Sequence, residues 1–460
     1  MSTVSKIKRA ILLAATLALT GCTMMPKYQR PAAPVAATYA GASVTNAPAA
    51  SAQIAWRNFF NDERLNQLIE LALTNNRDLR VAILNVEQSR AEYRISRASL
   101  FPTIDGTGSY NRSHANNLTA TEWSANLGTV AYEVDLWGRV RSLNRQALEK
   151  FFATVEAQRS TQVSLVAELS TEYFTWLEAR QALELSQQTL KAVSESYQLN
   201  QALFNAGASS ELDLRESEAQ IQTAKVNVLT YDRQIKQAED DLALLIGQPL
   251  PEDLPAARSL DDTNLLADIP AGLPSELLQQ RPDILEAEHT LKAANANIGA
   301  ARAAFFPVVS LTTSVGASST QLSQLFKAGT GAWTFNPQIT VPIFTGGQNM
   351  ADLDAAHVSK RIEIANYEKA IQTAFREVSD ALIGVSSYTQ QIVEQAGLVT
   401  AQQRRYDLAI ARYRQGDDTY LNALTAQQDL FTAQQGLIQT QFNKLASQIS
   451  LYEALGGGWK

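Results

Sequence analysis

Two periodicities run along the chain, and they predict two kinds of element. Apolar side chains recur every seven residues at Leu169, Trp176, Leu183, Leu190, Tyr197 and Phe204. Adding 209 to each number gives Val378, Val385, Ile392, Val399, Tyr406 and Tyr413, again all apolar or aromatic. A seven-residue repeat held this long predicts supercoiled helices packed side by side. The pattern from Ser142 to Ala206 corresponds to roughly 100 Å of helix. A second seam, Leu214, Ile221, Val228, Ile235 and Leu242, marks a returning helix. Its copy is weaker, because Ala423, Leu430 and Leu451 fit but Lys444 does not. The intervening residues are rich in Gln, Ala, Ser and Thr, so these helices pack along narrow seams. A solvated coiled-coil spacer and the wall of a helical tube both fit this pattern.

The second periodicity is two. Val309, Leu311, Thr313 and Val315 alternate with Val308, Ser310, Thr312 and Ser314. Between Trp333 and Ile343 the odd positions are apolar and Thr334, Asn336, Gln338 and Thr340 lie opposite. This predicts strands at about 308–316 and 333–343. Trp123, Ala125 and Leu127 lead to Val130, Tyr132, Val134 and Leu136, and the phase change between Leu127 and Val130 predicts a bulge. The corresponding strands are expected at about 103–112 and 123–136, the first having the weakest pattern because it is Gly-rich. A soluble sheet covered by helices would show the same alternation, but seam-type helices offer no broad apolar face to cover it. A lipid phase would. Membrane barrels start at eight strands and tolerate no open edge in lipid. Four strands per chain therefore require shared closure, in which two chains give eight strands and three give twelve.

The chain is internally duplicated. "RASLFPTIDGTGS" at 97–109 returns as "RAAFFPVVSLTTS" at 302–314, an offset of 205. In each, Phe-Pro closes a helical pattern and opens an alternating one, making Pro102 and Pro307 helix-to-strand boundaries. Gly207 and Gly416 stand where a left-handed helix C-cap is wanted. Ser209 or Ser210, and Asp417 or Asp418, are expected to N-cap the returning helices. The helical hairpins thus have tips at about 206–211 and 415–420. The organisation read from the sequence is a first repeat over 56–248, a Pro-rich segment over 249–275, a second repeat over 276–455 and a tail over 456–460. The fold class is α+β.

Composition supplies the address. Lys6, Lys8 and Arg9 precede the apolar run Ala10 to Leu19, which ends in Leu19-Thr20-Gly21-Cys22. This is a secretory signal over 1–21, too short to span a membrane, followed by an extended tether over 22–55. Cys22 is the only cysteine, which excludes a disulfide framework and a zinc–thiolate site. Removal of three bases and no acid takes the net charge from -7 to about -10, which argues against nucleic-acid binding. His114, His289 and His357 are scattered. Glu286 and His289 share a helix face as an isolated carboxylate–histidine pair, too little for a metal centre. No phosphate loop or nucleophile elbow occurs, so no enzyme, cofactor or metal site is expected. Methionine occurs only at 1, 24, 25 and 350, which provides no thioether ladder for copper or silver.

The chain resembles the TolC/OprM superfamily of outer-membrane efflux channels, in its lipoprotein branch. The resemblance rests on the lipobox Leu19–Cys22, "WRNFF" at 56–60, "NNRDLR" at 75–80 and "YEVDLWGRVR" at 132–141. "QRPDILEAEHTLKAANANIGAARAAFFP" at 280–307, "VPIF" at 341–344 and "LYEALGGGW" at 451–459 complete it. It implies N-acyl and S-diacylglycerol lipid on Cys22 and, with Thr23 following, sorting to the outer membrane. It further implies a homotrimer with one twelve-stranded β-barrel and a periplasmic α-barrel. The implied role is the passive exit duct of a tripartite pump with an inner-membrane RND transporter and a periplasmic adaptor. The resemblance places Tyr413 and Asp213 at positions that link neighbouring helices in the closed state of the founding member. Asp418 falls where that member carries an Arg. Asp417 and Asp418 are therefore gate candidates as an acidic mouth, with capping as their simpler role. Ducts for metal ions or secreted protein, and a pore-free coiled-coil lipoprotein, are the alternatives.

Overall fold

The computed structural model describes residues 23–36, 38, 39, 55–260, 265 and 280–457. The signal segment, Cys22 and most of the inter-repeat stretch after residue 260 lie outside the described residues. The first repeat contains α1 (Trp56–Phe59), α2 (Glu63–Asn75), α3 (Arg77–Ala98), β1 (Asp105–Ala115) and β2 (Leu118–Val134), then α4 (Arg139–Asn205) and α5 (Glu211–Ile246). The second contains α6 (Pro282–Ala303), β3 (Val308–Ser319), β4 (Gly331–Thr340), α7 (Gln348–Gln415) and α8 (Tyr420–Ala454). The heptad seams lie on α4 and α7, of 67 and 68 residues. Among the described residues no helix is long and apolar enough to cross a membrane.

The chain divides into two compact units, and the division falls within α3, α4, α6 and α7. One unit contains the strands. They form a single antiparallel sheet in the order β1-β2-β3-β4, so β1 and β4 are its edges. β1 and β2 are joined by Asn116 and Asn117, both at positive φ (53° and 59°), the geometry of a tight hairpin whose twist suits the strands. The β2–β3 register shifts between Thr129 and Tyr132, with Ala131 left-handed at φ 54°. The phase change in the sequence is this bulge. β1 begins and ends later than the 103–112 expected, since it is paired through Ala115. β4 stops at Thr340, short of the Ile343 expected, because Pro342 has no N–H for a ladder. Val341 and Ile343 therefore do not extend its apolar face.

Residues 25–30 belong to the same unit and lie against α6. The Arg30 guanidinium donates to both Glu288 carboxylate oxygens (2.9 and 2.7 Å), and the Tyr28 hydroxyl donates to Glu288 at 3.0 Å. Asn295 Nδ2 donates to the Pro26 carbonyl at 2.8 Å. A Cβ on Gly299 would meet Met25 Cα at 2.8 Å, so glycine there allows the strap its close approach.

The other unit holds the apolar core. Phe59 of α1, Phe60 just after it, and Leu65, Leu68 and Ile69 of α2 pack with Leu169, Tyr173 and Phe174 of α4, Leu242 and Ile246 of α5, and Tyr452 of α8. Phe59 and Tyr452 stack at 4.2 Å. Each such side chain stabilises by about 1.5–3 kcal/mol on burial. Asp62 caps α2 through Leu65 N at 3.0 Å and accepts from the Tyr173 hydroxyl at 3.0 Å. That buried pairing fixes where α2 meets α4.

Each repeat closes on itself in this unit. Asn76 accepts from Leu79 N at 2.9 Å, starting α3, and its Nδ2 donates to the Leu245 carbonyl at the end of α5 (2.9 Å). Arg281 stands in the same place before α6 and donates to the Ala454 carbonyl at the end of α8 (2.9 Å). Gly247 and Gly456 follow those helices at φ 71° and 80°. They lie so close to Asn75 and Gln280 that a Cβ would meet the carbonyl oxygens at 2.5 and 3.0 Å.

Candidate functional site

The sheet is two-faced, and its register sorts the residues. Leu127, Val315 and Trp333 form one cross-strand row; Thr129, Thr313 and Phe335 form the next on that face. Past the bulge, Tyr132, Leu311 and Pro337 align, then Val134, Val309 and Ile339. The extra residue flips the parity of β2, so its apolar side chains stay with the odd positions of β3. Leu127, Val315, Trp333, Phe335 and Ile339 are all exposed. On the same face the Tyr110 and Trp123 rings meet at 4.4 Å. An apolar sheet face this broad marks a surface that meets another apolar phase or partner.

The opposite face is polar. Ser109 and Ser124 hydroxyls pair at 2.7 Å, and Ser314 and Thr334 hydroxyls at 2.8 Å. The Ser318 hydroxyl donates to Glu122 at 2.8 Å. Glu133 is held by Arg139 through two bonds of 2.9 and 2.5 Å. These short side chains satisfy one another in pairs while remaining open to water.

Pro102 and Pro307 stand at the turns where helix becomes strand. Phe101 N and Phe306 N close the last helical turns on Ala98 and Ala303 carbonyls (3.0 Å each). The Pro307 carbonyl accepts from the Trp137 indole at 2.9 Å, and Trp137 stacks on Phe306 at 4.7 Å. The Tyr132 hydroxyl donates to the Leu100 carbonyl at 3.0 Å. Strand and helix are thus pinned at both boundaries.

The hairpin tips belong to the other unit. Gly207 and Gly416 are left-handed at φ 71° and 82°. Each helix ends with the same paired bonds, Gly207 N to Phe204 O with Ala208 N to Leu203 O, and Gly416 N to Tyr413 O with Asp417 N to Arg412 O. The returning helices start differently. Ser210 and Asp213 form a reciprocal capping box on α5, so the Asp213 carboxylate binds Ser209, Ser210 and the Ser210 backbone. On α8 the N-cap is Thr419, with no side-chain cap bond, rather than Asp417 or Asp418. Asp418 accepts instead from Thr419 N at 2.8 Å and Asn422 Nδ2 at 2.6 Å, one residue too early to reach the second or third helical N–H. Those two bonds, with Arg412 nearby, hold its carboxyl below the usual range. Asp417 is exposed.

Tyr413 hydrogen bonds to the buried Asn200 of α4, and its ring lies 5.4 Å from that of Tyr420. Burial, then the charge of Asp213, pushes its hydroxyl pKa up. Within one chain, then, Tyr413 links the second copy's descending helix to the first, and Asp213 caps. Asn200 gives no signal in the sequence, because its partner lies 213 residues away.

Arg281 is the other residue whose role the sequence does not reveal. It binds Asp283 at 2.9 and 2.6 Å and Glu377 at 2.9 Å. With Ser164, Asp380, Tyr388 and Glu453 it lines a cavity of about 640 Å³. Burial pushes the Glu453 carboxyl up, and Glu377 adds to this. His289 is paired not with Glu286 but with Glu149 of α4, at 2.6 Å. Among the described residues no group of three or more His, Cys, Asp or Glu is placed to hold a metal ion.

Each of the two repeats supplies a strand pair and a long helical hairpin. The outer membrane efflux protein model matches residues 68–248 and again 273–457. The chain belongs to the outer membrane efflux protein family. The two matches start 205 residues apart and end 209 apart, the offsets of the duplication itself. The chain is 47% identical over 453 residues to the toluene efflux pump outer membrane protein TtgC of Pseudomonas putida, covering 96% of this chain and 93% of that protein. It is 39% identical over 450 residues to the cation efflux system protein CusC of Escherichia coli (96% and 97% covered). The solved open-state MtrE outer membrane channel of Neisseria gonorrhoeae superposes with a TM-score of 0.89 at 39% identity, over 95% of this chain and 99% of that one. As a member of this family the chain is an outer-membrane efflux channel protein of α+β fold.

Proposed function

We propose that three chains close one twelve-stranded barrel, four strands from each, above a helical barrel that crosses the periplasm. The observation that carries this reading is a four-stranded sheet with one apolar face, one polar face and two unpaired edges. In lipid, open edges are not tolerated, so β4 of one chain pairs with β1 of the next. The apolar face meets lipid and the polar face lines the lumen. Lipid on Cys22 adds a second anchor; the strap that binds Glu288 begins three residues after it. The channel is loaded by a periplasmic adaptor and an inner-membrane RND transporter and spends no energy itself. The cargo is organic toxicants, in keeping with the toluene named for TtgC and the lack of a methionine ladder. Metal-ion efflux, as CusC is named for, is the second reading.

The tips restrain opening. In the assembled channel Tyr413 and Asp213 tie neighbouring helices at rest, and an iris-like outward swing of the tips opens the mouth. The exposed Asp417 favours cations there. The test is conductance in planar bilayers: Tyr413→Phe with Asp213→Ala raises it in a channel that still runs as a heat-modifiable oligomer. Unchanged conductance would reject the gate. Failure of the unmodified protein to show any heat-modifiable species would reject the barrel.

A further inference from the structure

The strand register separates charge as cleanly as it separates hydropathy. Asp105 aligns with Gly128, Thr107 with Asn126, Ser109 with Ser124 and Asn111 with Glu122. Glu122, Ser124, Asn126 and Gly128 alternate with Leu127 and Trp123, so Asp105 and Glu122 lie on the polar face. Past the bulge, Glu133 aligns with Ser310 and Gln338 on that face. No lysine or arginine of the four strands lies there. The only strand arginine, Arg112, stands two residues beyond Tyr110 on β1, on the apolar face with the Tyr110–Trp123 pair.

The three acids are not equivalent. Glu133 is neutralised by the two bonds from Arg139. Glu122 has only the neutral Ser318 hydroxyl, and Asp105 only the Thr103 hydroxyl at 3.4 Å. Their negative charge is therefore uncompensated by any side chain in contact with it. The neighbours across the sheet are serine, threonine, asparagine and glycine, which solvate ions of either sign without adding charge.

We infer that the barrel lumen itself discriminates by charge, that it favours cationic over anionic solutes, and that Glu122 and Asp105 are the determinants. This rests on the barrel reading above, which places the polar face in the lumen. A lumen lined by one sign of charge concentrates counter-ions and depletes co-ions. The effect is graded by salt, because the screening length shrinks from about 30 Å at 0.01 M to about 3 Å at 1 M. Organic cations, including protonated amines, would then leave more readily than carboxylates of equal size. The preference resides in the outer segment and is separate from any charge at the tips.

The experiment is the reversal potential of the full-length channel in planar bilayers under a potassium chloride gradient. At about 10 mM salt, Glu122→Gln with Asp105→Asn lowers the potassium-to-chloride permeability ratio roughly twofold or more. At 1 M salt the variant and the unmodified channel converge. Arg112→Gln, on the opposite face, leaves the ratio unchanged. If the double variant fails to assemble, Glu122→Gln alone is read the same way. A reversal potential identical to the unmodified channel's at low salt would overturn the inference while leaving the barrel intact. A shift with Arg112→Gln as large as that of the acids would reverse the assignment of faces and overturn it too. Absence of any conductance from the unmodified protein would remove the barrel, and this inference with it.

Discussion

Asn76 and Arg281 stand one residue before α3 and α6, 205 residues apart, and each ties its repeat shut by donating to a carbonyl at the end of that repeat's last helix. The acceptors, Leu245 and Ala454, are themselves 209 residues apart, as are the glycines that follow them. Duplication has kept the backbone geometry of this corner and changed its chemistry. In the first copy an amide also caps its own helix. In the second a guanidinium gathers two carboxylates and opens a cavity. The lesson is that the two corners should fail differently.

The largest expected loss is Arg281→Ala. It leaves Asp283 and Glu377 without their cation beside the raised Glu453 carboxyl, and costs about 3 kcal/mol in denaturant unfolding of the detergent-solubilised protein. That is the low end for a broken buried pair, because the carboxylates are about one-third exposed. Gly247→Ala follows at about 2–3 kcal/mol, from left-handed strain plus a backbone oxygen 2.5 Å from the new Cβ. Gly456→Ala, with 3.0 Å available, costs less. Asn76→Ala costs about 1–2 kcal/mol, for a lost cap and one buried bond. If Asn76→Ala proved as damaging as Arg281→Ala, the contrast between the corners would be lost.

The tips also keep a left-handed glycine in both copies, at φ 71° and 82°, but with open space where the corners are tightly packed. Gly207→Ala costs only about 1 kcal/mol, because the φ of 71° is unfavourable but no atom lies within 4 Å of the new Cβ. Comparing it with Gly247→Ala separates conformational strain from close packing. The smallest effect depends on pH. A carboxyl raised in the folded state contributes stability that is complete below its unfolded pKa and is lost as pH rises through the folded value. Glu453→Gln should therefore stabilise at neutral pH, and the gain should vanish as pH falls below the ordinary carboxylate range. A gain that persisted in acid would show that packing, not charge, is responsible.

Much of this was legible in the sequence because it rests on local periodicity. The seams gave α4 and α7, the alternation gave β2 to β4, and the break between Leu127 and Val130 gave the bulge. β1 was weakly written, since Gly106 and Gly108 carry no side chain to show a face, and its pairing with β2 establishes it. The cap on α8 was misassigned because two adjacent aspartates precede the Thr419 that the backbone selects. Arg281 with Glu377, and Tyr413 with Asn200, were invisible because their spacing reflects tertiary closure rather than any periodicity.

The central claim is that β1 and β4, the edges within one chain, are paired between chains. Cysteine at Ser109 on β1, combined in turn with cysteine at positions 333 to 336 on β4, tests it, and the protein carrying Cys22 alone serves as the control. Oxidation of the assembled protein is predicted to give, for at least one combination, a ladder of covalent dimer and trimer that ends at three chains. A ladder running past three, or only an intrachain bond, would contradict the account.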